Sequence, residues 1–331
     1  MLLLIGSILF SLVICEIALR IFADIPVPKY PPKTKRPDLY QQYTPYGYRL
    51  WPSRTMSYKY PRENPRELTI VSNSIGFRSR RELQEPDERF RILILGDSFV
   101  FGDGVEAEER FSNVLEEMEP DWRVDNLGMT GYGPGLMLRA LEKVGLHPVP
   151  DIVIFTMYTD DFRRVQPFYA GVGFKIPRFK LKNGKLVSVP YPKRNIWNRC
   201  YLYLTCLDLF WKKTNIVYDL NSAILDRFLE LARTHHFQPV IIFLPGWSDT
   251  PTDKKRRTWL QQYARMHQVP YLDVSEPIHR HKWDEVFIKN NWHFNPMGHH
   301  IVAEQLHRFL KNEISGKLAF KSTTTNAEND F

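Results

Sequence analysis

Cysteine is scarce in this 331-residue chain: Cys15, Cys200 and Cys206 are the only three. No CxxC pair and no His/Cys spacing of a metal site occurs, so no metal is expected. Cys200 and Cys206 lie six apart in NRCYLYLTCLDLF. They could pair in an exported domain, or sit on different faces of a helix and stay reduced as buried apolar residues. A basic patch is also lacking. The formal charge is +8, from 45 Lys+Arg against 37 Asp+Glu, but the basic residues are dispersed. The richest cluster, Lys254-Lys255-Arg256-Arg257, leads into Thr258-Trp259-Leu260 and reads as the solvated first turn of a helix. Nucleic acid is therefore excluded as a partner, and the charge suits solubility or an anionic surface.

The N-terminus lacks processing signals. No A-x-A-like site follows its apolar run, and Leu12-Val13-Ile14-Cys15 has no small residues ahead of the cysteine. The run itself, Leu2 to Cys15, is almost wholly apolar and continues past Glu16 and Arg20 to Ala23. About 22 residues at 1.5 Å rise span roughly 33 Å, enough to cross a bilayer. Glu16 and Arg20 stand one turn apart and can pair or snorkel at the interface. Residues 1–23 are thus expected to be an uncleaved transmembrane anchor, the alternative being an amphipathic helix packed on the domain.

Beyond it, residues 24–69 are rich in Pro, Tyr and Lys, as in Pro26-Val27-Pro28-Lys29-Tyr30-Pro31-Pro32, and read as an extended linker that becomes an arm over the domain. Strands are then expected at 91–95, 123–127, 151–157, 239–244 and 269–272, and helices at 109–118, 135–144, 216–234, 256–266 and 297–310. This alternation predicts a three-layer α/β/α domain over 70–313 with a central parallel sheet. Its functional edge is the one where the strands end. An insertion, 163–214, carries a hairpin signal at Asn183-Gly184 and the aromatics Phe168, Tyr169, Phe174, Tyr191, Trp197, Tyr201 and Tyr203, fit for a lid or wall over the site. After Asn312 the pattern turns polar, and 314–331 is expected to be a disordered tail.

Chemistry concentrates at the strand ends. Ile92 to Leu95 is a short buried run, broken by Gly96 and followed by Asp97-Ser98. A serine on a sharp turn after a buried strand is the position of a nucleophile, and it needs a base. The candidate base is His293, in Asn291-Trp292-His293-Phe294-Asn295-Pro296-Met297-Gly298; His299 and His300 fall on the helix that follows.

Gly96-Asp97-Ser98, Gly128 in Asp125-Asn126-Leu127-Gly128-Met129-Thr130-Gly131, Tyr158-Thr159-Asp160-Asp161-Phe162 and the His293 segment resemble, in that order, the four blocks of the SGNH or GDSL-like hydrolases, in particular their membrane-anchored bacterial type. The resemblance covers roughly residues 70 to 313. It implies the SGNH, flavodoxin-like fold, Ser98 as nucleophile and His293 as base. It further implies an oxyanion hole from the Ser98 N–H, the Gly128 N–H and a side chain of the third block, with no metal or organic cofactor.

Two positions depart from the family. Asp160 stands where the family has an asparagine donor, and an ionised carboxylate would repel an oxyanion. It could be protonated, turn away, or mark a site that has lost acyl transfer. Asn290-Asn291 stand where the triad aspartate is expected. Asn291 could accept the Nδ1–H bond through its amide oxygen without the charge, or flip and donate, fixing the wrong tautomer; Asp284 is a fallback orienter.

The implied protein is a membrane-anchored serine esterase, acyl hydrolase or O-acyltransferase, acting on ester-linked acyl groups of which a surface glycan is a candidate carrier. The alternative is a catalytically impaired SGNH-fold module that binds a glycan or a partner protein. Basic residues after the helix place the domain in the cytoplasm by the positive-inside rule, whereas the resemblance places it outside the cytoplasm, in the periplasm. The second reading is preferred.

Overall fold

A computed structural model of the chain describes residues 1–22, 34, 36–60, 66–166, 169, 171–193, 195 and 197–327. The proline run 26–32 and Phe168 lie outside them.

Helix α1 (Leu2–Phe22) comes first. Its span Leu3–Phe22 has a mean hydropathy of 2.2, with none of it buried, and is long and apolar enough to cross a membrane. Two antiparallel hairpins follow, β1–β2 (Tyr40–Tyr43, Gly47–Leu50) and β3–β4 (Thr55–Tyr60, Arg66–Val71). The core then alternates β5 (Phe90–Gly96), α2 (Ser98–Phe101), α3 (Phe111–Met118), β6 (Trp122–Gly128), α4 (Pro134–Ala140) and β7 (Ile152–Tyr158). After a 3-10 turn (Thr159–Val165) comes the insertion, with hairpin β8–β9 (Arg178–Lys182, Lys185–Val189) and α5 (Tyr201–Lys213). The core resumes with α6 (Ile216–His235), β10 (Gln238–Leu244), α7 (Pro251–Met266), β11 (Tyr271–Asp273), the short α8 (Ser275–His279) and α9 (Trp283–Val286), and α10 (Pro296–Ala327).

The five core strands form one sheet, ordered β11-β10-β7-β5-β6, with every neighbouring pair parallel. Parallel strands need both faces covered, which explains why their sequences read as continuous apolar runs. In β5, Leu93 and Leu95 enter one core with α4 and α6, while Ile92 and Ile94 enter the other with α3 and α10. Register brings the motif blocks to one edge, since Gly96 pairs with Gly128 and Tyr158 with Leu244. This is the expected three-layer α/β/α, flavodoxin-like architecture.

Several elements differ from expectation. Helix α7 starts at Pro251 because Thr250 and Asp253 form a reciprocal capping box ahead of the basic cluster. The helix expected at 135–144 changes to a π turn over Leu141–Gly145. The arm is not merely extended: Tyr58, Leu68 and Ile70 alternate inward and bury β3–β4 against the domain, across the residue 69/70 boundary. Helix α10 runs on to Ala327 through the segment expected to be disordered. Cys206 is exposed rather than buried, and all three cysteines are free. Asn183 and Gly184 turn the β8–β9 hairpin with φ of 52° and 72°, the left-handed pair that the Asn-Gly signal requires.

His299 is buried on α10, stacks on Phe111 and accepts the Phe111 N–H at Nδ1 (3.3 Å). Burial, with Arg110 nearby, lowers its pKa to about 3 from an ordinary 6.5. Between those values the unfolded chain binds a proton that the folded chain refuses, so this group costs stability as pH falls below 6.5. Urea midpoints should fall from pH 7 to pH 4, and His299→Asn, which keeps an acceptor, should flatten that slope while lowering stability at pH 7 by about 1–3 kcal/mol.

Candidate active site

Residue types at the end of β5 build a tight turn. A Cβ on Gly96 would stand 2.0 Å from Val100, and one on Gly128 would stand 2.4 Å from the Phe101 N atom, so both strand ends can abut α2 only as glycine. Asp97 caps α2, its carboxylate accepting the Phe99 N–H (2.9 Å), and Gly102 closes the helix with φ 79°. Ser98 is thereby the first residue of α2, with no intrahelical acceptor for its N–H.

The loop before α10 carries His293 to the same edge. Its Nε2 lies 2.7 Å from Ser98 Oγ. Its Nδ1 lies 2.8 Å from Asn291 Oδ1 and 2.7 Å from the Tyr60 hydroxyl oxygen. Asn290, with a positive φ of 57°, turns the chain just ahead of them. The amide orientation of Asn291 follows from its neighbours. The His293 backbone N–H donates to Asn291 Oδ1 (3.1 Å), as does the Tyr60 hydroxyl (3.2 Å). A main-chain N–H can only donate, so the amide oxygen must face it. That leaves Nδ1 protonated and Nε2 free to accept the Ser98 proton, the tautomer that general-base catalysis requires.

His293 is partly buried, stacked obliquely on Phe99 (5.1 Å), which itself stacks on Tyr158 (4.2 Å). Burial holds its pKa below the ordinary 6.5; Asp103 opposes that shift and Arg164 adds to it. The imidazole is therefore neutral at neutral pH. Asp103 is buried behind the arm and accepts the Tyr58 hydroxyl (3.1 Å).

The third block is tied to the Ser98 turn by charge. Arg164 contacts Asp97 (2.9 Å) and Asp161 (2.5 Å) and donates to the Tyr132 carbonyl (2.6 Å). Asp161 is fully buried and accepts the Tyr158 N–H (3.0 Å); burial pushes its carboxyl well above the usual range against the pull of Arg164. Asp160 points elsewhere, into a pair with Arg163 at 2.5 and 2.7 Å. The i,i+3 spacing within the turn makes this local contact available. The Gly128 N–H also has a protein partner, donating to Asn126 Oδ1 (2.8 Å). Of the three groups expected to form an oxyanion hole, Gly128 and Asp160 are engaged, while the Ser98 N–H has no acceptor among the described residues. Asp284 is exposed on α9, and Asn291 occupies the place beside His293.

The profile of the GDSL-like Lipase/Acylhydrolase family matches residues 94–301, more than half of the chain and all of the site described above except Tyr58 and Tyr60. The chain belongs to this family. By that membership it is a serine hydrolase acting on ester bonds. None of the curated proteins compared matches the chain. Among solved structures, it is similar to LAE5, an alpha/beta hydrolase enzyme from the metagenome of Lake Arreo, Spain, at 12% identity and TM-score 0.46, covering 69% of this chain and 97% of that one. It is also similar to Axe2, an acetylxylan esterase from Geobacillus stearothermophilus, at 15% identity and TM-score 0.44, covering 66% and 93%. A third is a member of the lipolytic protein G-D-S-L family from Veillonella parvula DSM 2008, at 16% identity and TM-score 0.43, covering 69% and 98%.

What motif reading missed in this GDSL-like site comes from outside the family match. Tyr60 enters from β3, with only the alternation of Thr55–Tyr60 to announce it. The arm is riveted to the second-block loop by further hydroxyls: Tyr40 donates to Thr130 Oγ1 (2.8 Å) and Tyr48 to the Thr130 carbonyl (2.7 Å). From the insertion, Tyr169 donates to the Gly131 carbonyl (2.7 Å), and Phe174 stacks on Tyr48. At the surface, exposed Trp292, next to His293, pairs with exposed Trp247 at 5.8 Å.

Replacing Tyr60 by Phe removes one of the two partners of Nδ1, and ester turnover should fall by about 3- to 30-fold, the scale of one buried hydrogen bond. Asn291→Asp should act oppositely, raising kcat by about tenfold or more by stabilising the imidazolium. It should also raise the His293 pKa. In the parent, activity should persist below pH 6.5 and fall as pH drops through the depressed pKa; in Asn291→Asp that acid limb moves to higher pH in a kcat/KM profile.

Proposed function

We propose that the protein is a membrane-anchored esterase that cleaves ester-linked acyl groups, with Ser98 as nucleophile and His293 as general base. The observation that carries this reading is the continuous chain from Ser98 Oγ through the imidazole to Asn291 Oδ1, with both links under 3 Å. Ser98 attacks the acyl carbon and yields its proton to Nε2. The imidazolium then protonates the leaving alkoxide, and water, deprotonated in turn by His293, releases the acid. The Ser98 N–H at the start of α2 supports the oxyanion. Gly128 contributes if substrate draws its N–H from Asn126. Asp160, paired with Arg163, takes no part, so Asp160→Asn should leave turnover within about threefold of the parent.

A glycan is the acyl carrier that the surface favours. Trp292, next to His293, and Trp247, which pairs with it, are exposed indoles of the kind suited to stacking on the apolar face of a sugar. Transfer to a sugar hydroxyl in place of water needs the same residues and differs only in the acceptor. Helix α1, apolar and with none of its span buried, supports anchorage. The export implied by the family resemblance favours an extracytoplasmic domain.

The missing triad carboxylate favours one rival, a binding module that keeps the cleft without turnover. Full-length protein in detergent should hydrolyse p-nitrophenyl acetate and label at Ser98 with a fluorophosphonate. Ser98→Ala and His293→Ala should each lose about 10⁴-fold or more. No turnover and no labelling of a folded parent would overturn the esterase reading for the binding module. Trp292→Ala should raise KM for an acetylated polysaccharide while leaving p-nitrophenyl acetate turnover unchanged.

A further inference from the structure

Helix α5 has an apolar face that the described residues leave uncovered. It buries Leu204 and packs Trp211 against the core. Away from the core it presents Tyr203, Cys206 and Phe210, at i, i+3 and i+7, with Leu209 beside them. Leu209 and Phe210 are 49% and 51% exposed. Trp197, 60% exposed, extends the patch by packing its ring against Tyr203 at 6.0 Å. A soluble surface rarely leaves such a run open.

The contacts of α5 with α1 say what covers it. The Glu16 carboxylate accepts the N–H groups of Tyr201 and Leu202, each at 2.9 Å, and so caps the N-terminus of α5. Arg20 donates to the Arg199 carbonyl (2.8 Å) and lies over the Tyr201 ring (4.9 Å). Glu16 and Arg20 are where the apolar run of α1 first turns polar. These contacts therefore fix the start of α5 at the depth where α1 leaves the hydrocarbon.

We infer that α5 is an interfacial helix, seated among the headgroups and upper acyl chains of the leaflet from which α1 emerges. The inference rests on α1 being a membrane anchor. The composition suits that place: Trp197 and Tyr203 are aromatics of the kind that gather at the bilayer boundary, and Arg20 and Arg199 bring cations to the phosphates. The thirteen residues of α5, about 20 Å long, give the insertion a second hold on the bilayer beside the anchor.

The test uses the full chain in lipid nanodiscs. Cys206 carries a nitroxide in a chain with Cys15→Ala and Cys200→Ser. Labels at Phe10→Cys and Lys182→Cys, in chains with all three native cysteines replaced, mark the bilayer and the solvent. Each chain must keep the parent's thermal midpoint. Relaxation by oxygen, which concentrates in lipid, is compared with relaxation by a water-soluble nickel chelate. The expected result is oxygen-dominated relaxation at positions 10 and 206 and nickel-dominated relaxation at 182. Lipid-like behaviour at 10 with water-like behaviour at 206 overturns the interfacial helix and leaves the anchor standing. Water-like behaviour at both overturns the anchor itself. Spin–spin broadening between Cys206 labels of two chains overturns the lipid in favour of a second copy as the cover.

Discussion

The site depends on an imidazole whose two nitrogens are both engaged. Desolvation favours the neutral form of His293, and its ring direction is fixed by Asn291 and Tyr60 on one side and Ser98 on the other. Preorganisation of this kind moves the cost of orientation from the reaction to folding. The remaining features serve that ring: Phe99 and Tyr158 stack beneath it, glycines at the ends of β5 and β6 let α2 come close, and the Asp97–Arg164–Asp161 cluster locks the nucleophile turn to the next loop.

A neutral third member changes the electrostatics more than the geometry. Asn291 gives the same acceptor position as a carboxylate but brings no charge to the imidazolium. Asp103 restores part of it from a distance, since its field raises the His293 pKa against burial. In a poorly screened interior that field acts without contact. The outcome is a base that stays unprotonated under more acidic conditions, and a less stabilised cation once protonated.

Most of the frame was legible in the chain because buried parallel strands cannot hide: 92–95 and 152–157 are continuous apolar runs, each ending at a turn block. The blocks also singled out Ser98 and His293, whose side chains meet at 2.7 Å. The Asn291 amide was ambiguous from sequence, and a single main-chain N–H two residues away decides it. Of the outcomes open to Asp160 in the sequence, it is turning away that the pair with Arg163, three residues on, matches. Tyr60 has only the alternation of its strand as a local signal, since its place is created by a contact spanning 233 residues. The arm read as linker for a related reason: its hairpins are short, and only their packing partners, hundreds of residues distant in part, make them strands.

That long contact also sets an order of events. Tyr60 is synthesised more than two hundred residues ahead of His293. On the proposed roles, the nucleophile and its strand are likewise made some two hundred residues before the base. A growing chain therefore carries Ser98 ahead of the imidazole that would take its proton, and Tyr60 ahead of the ring it bonds.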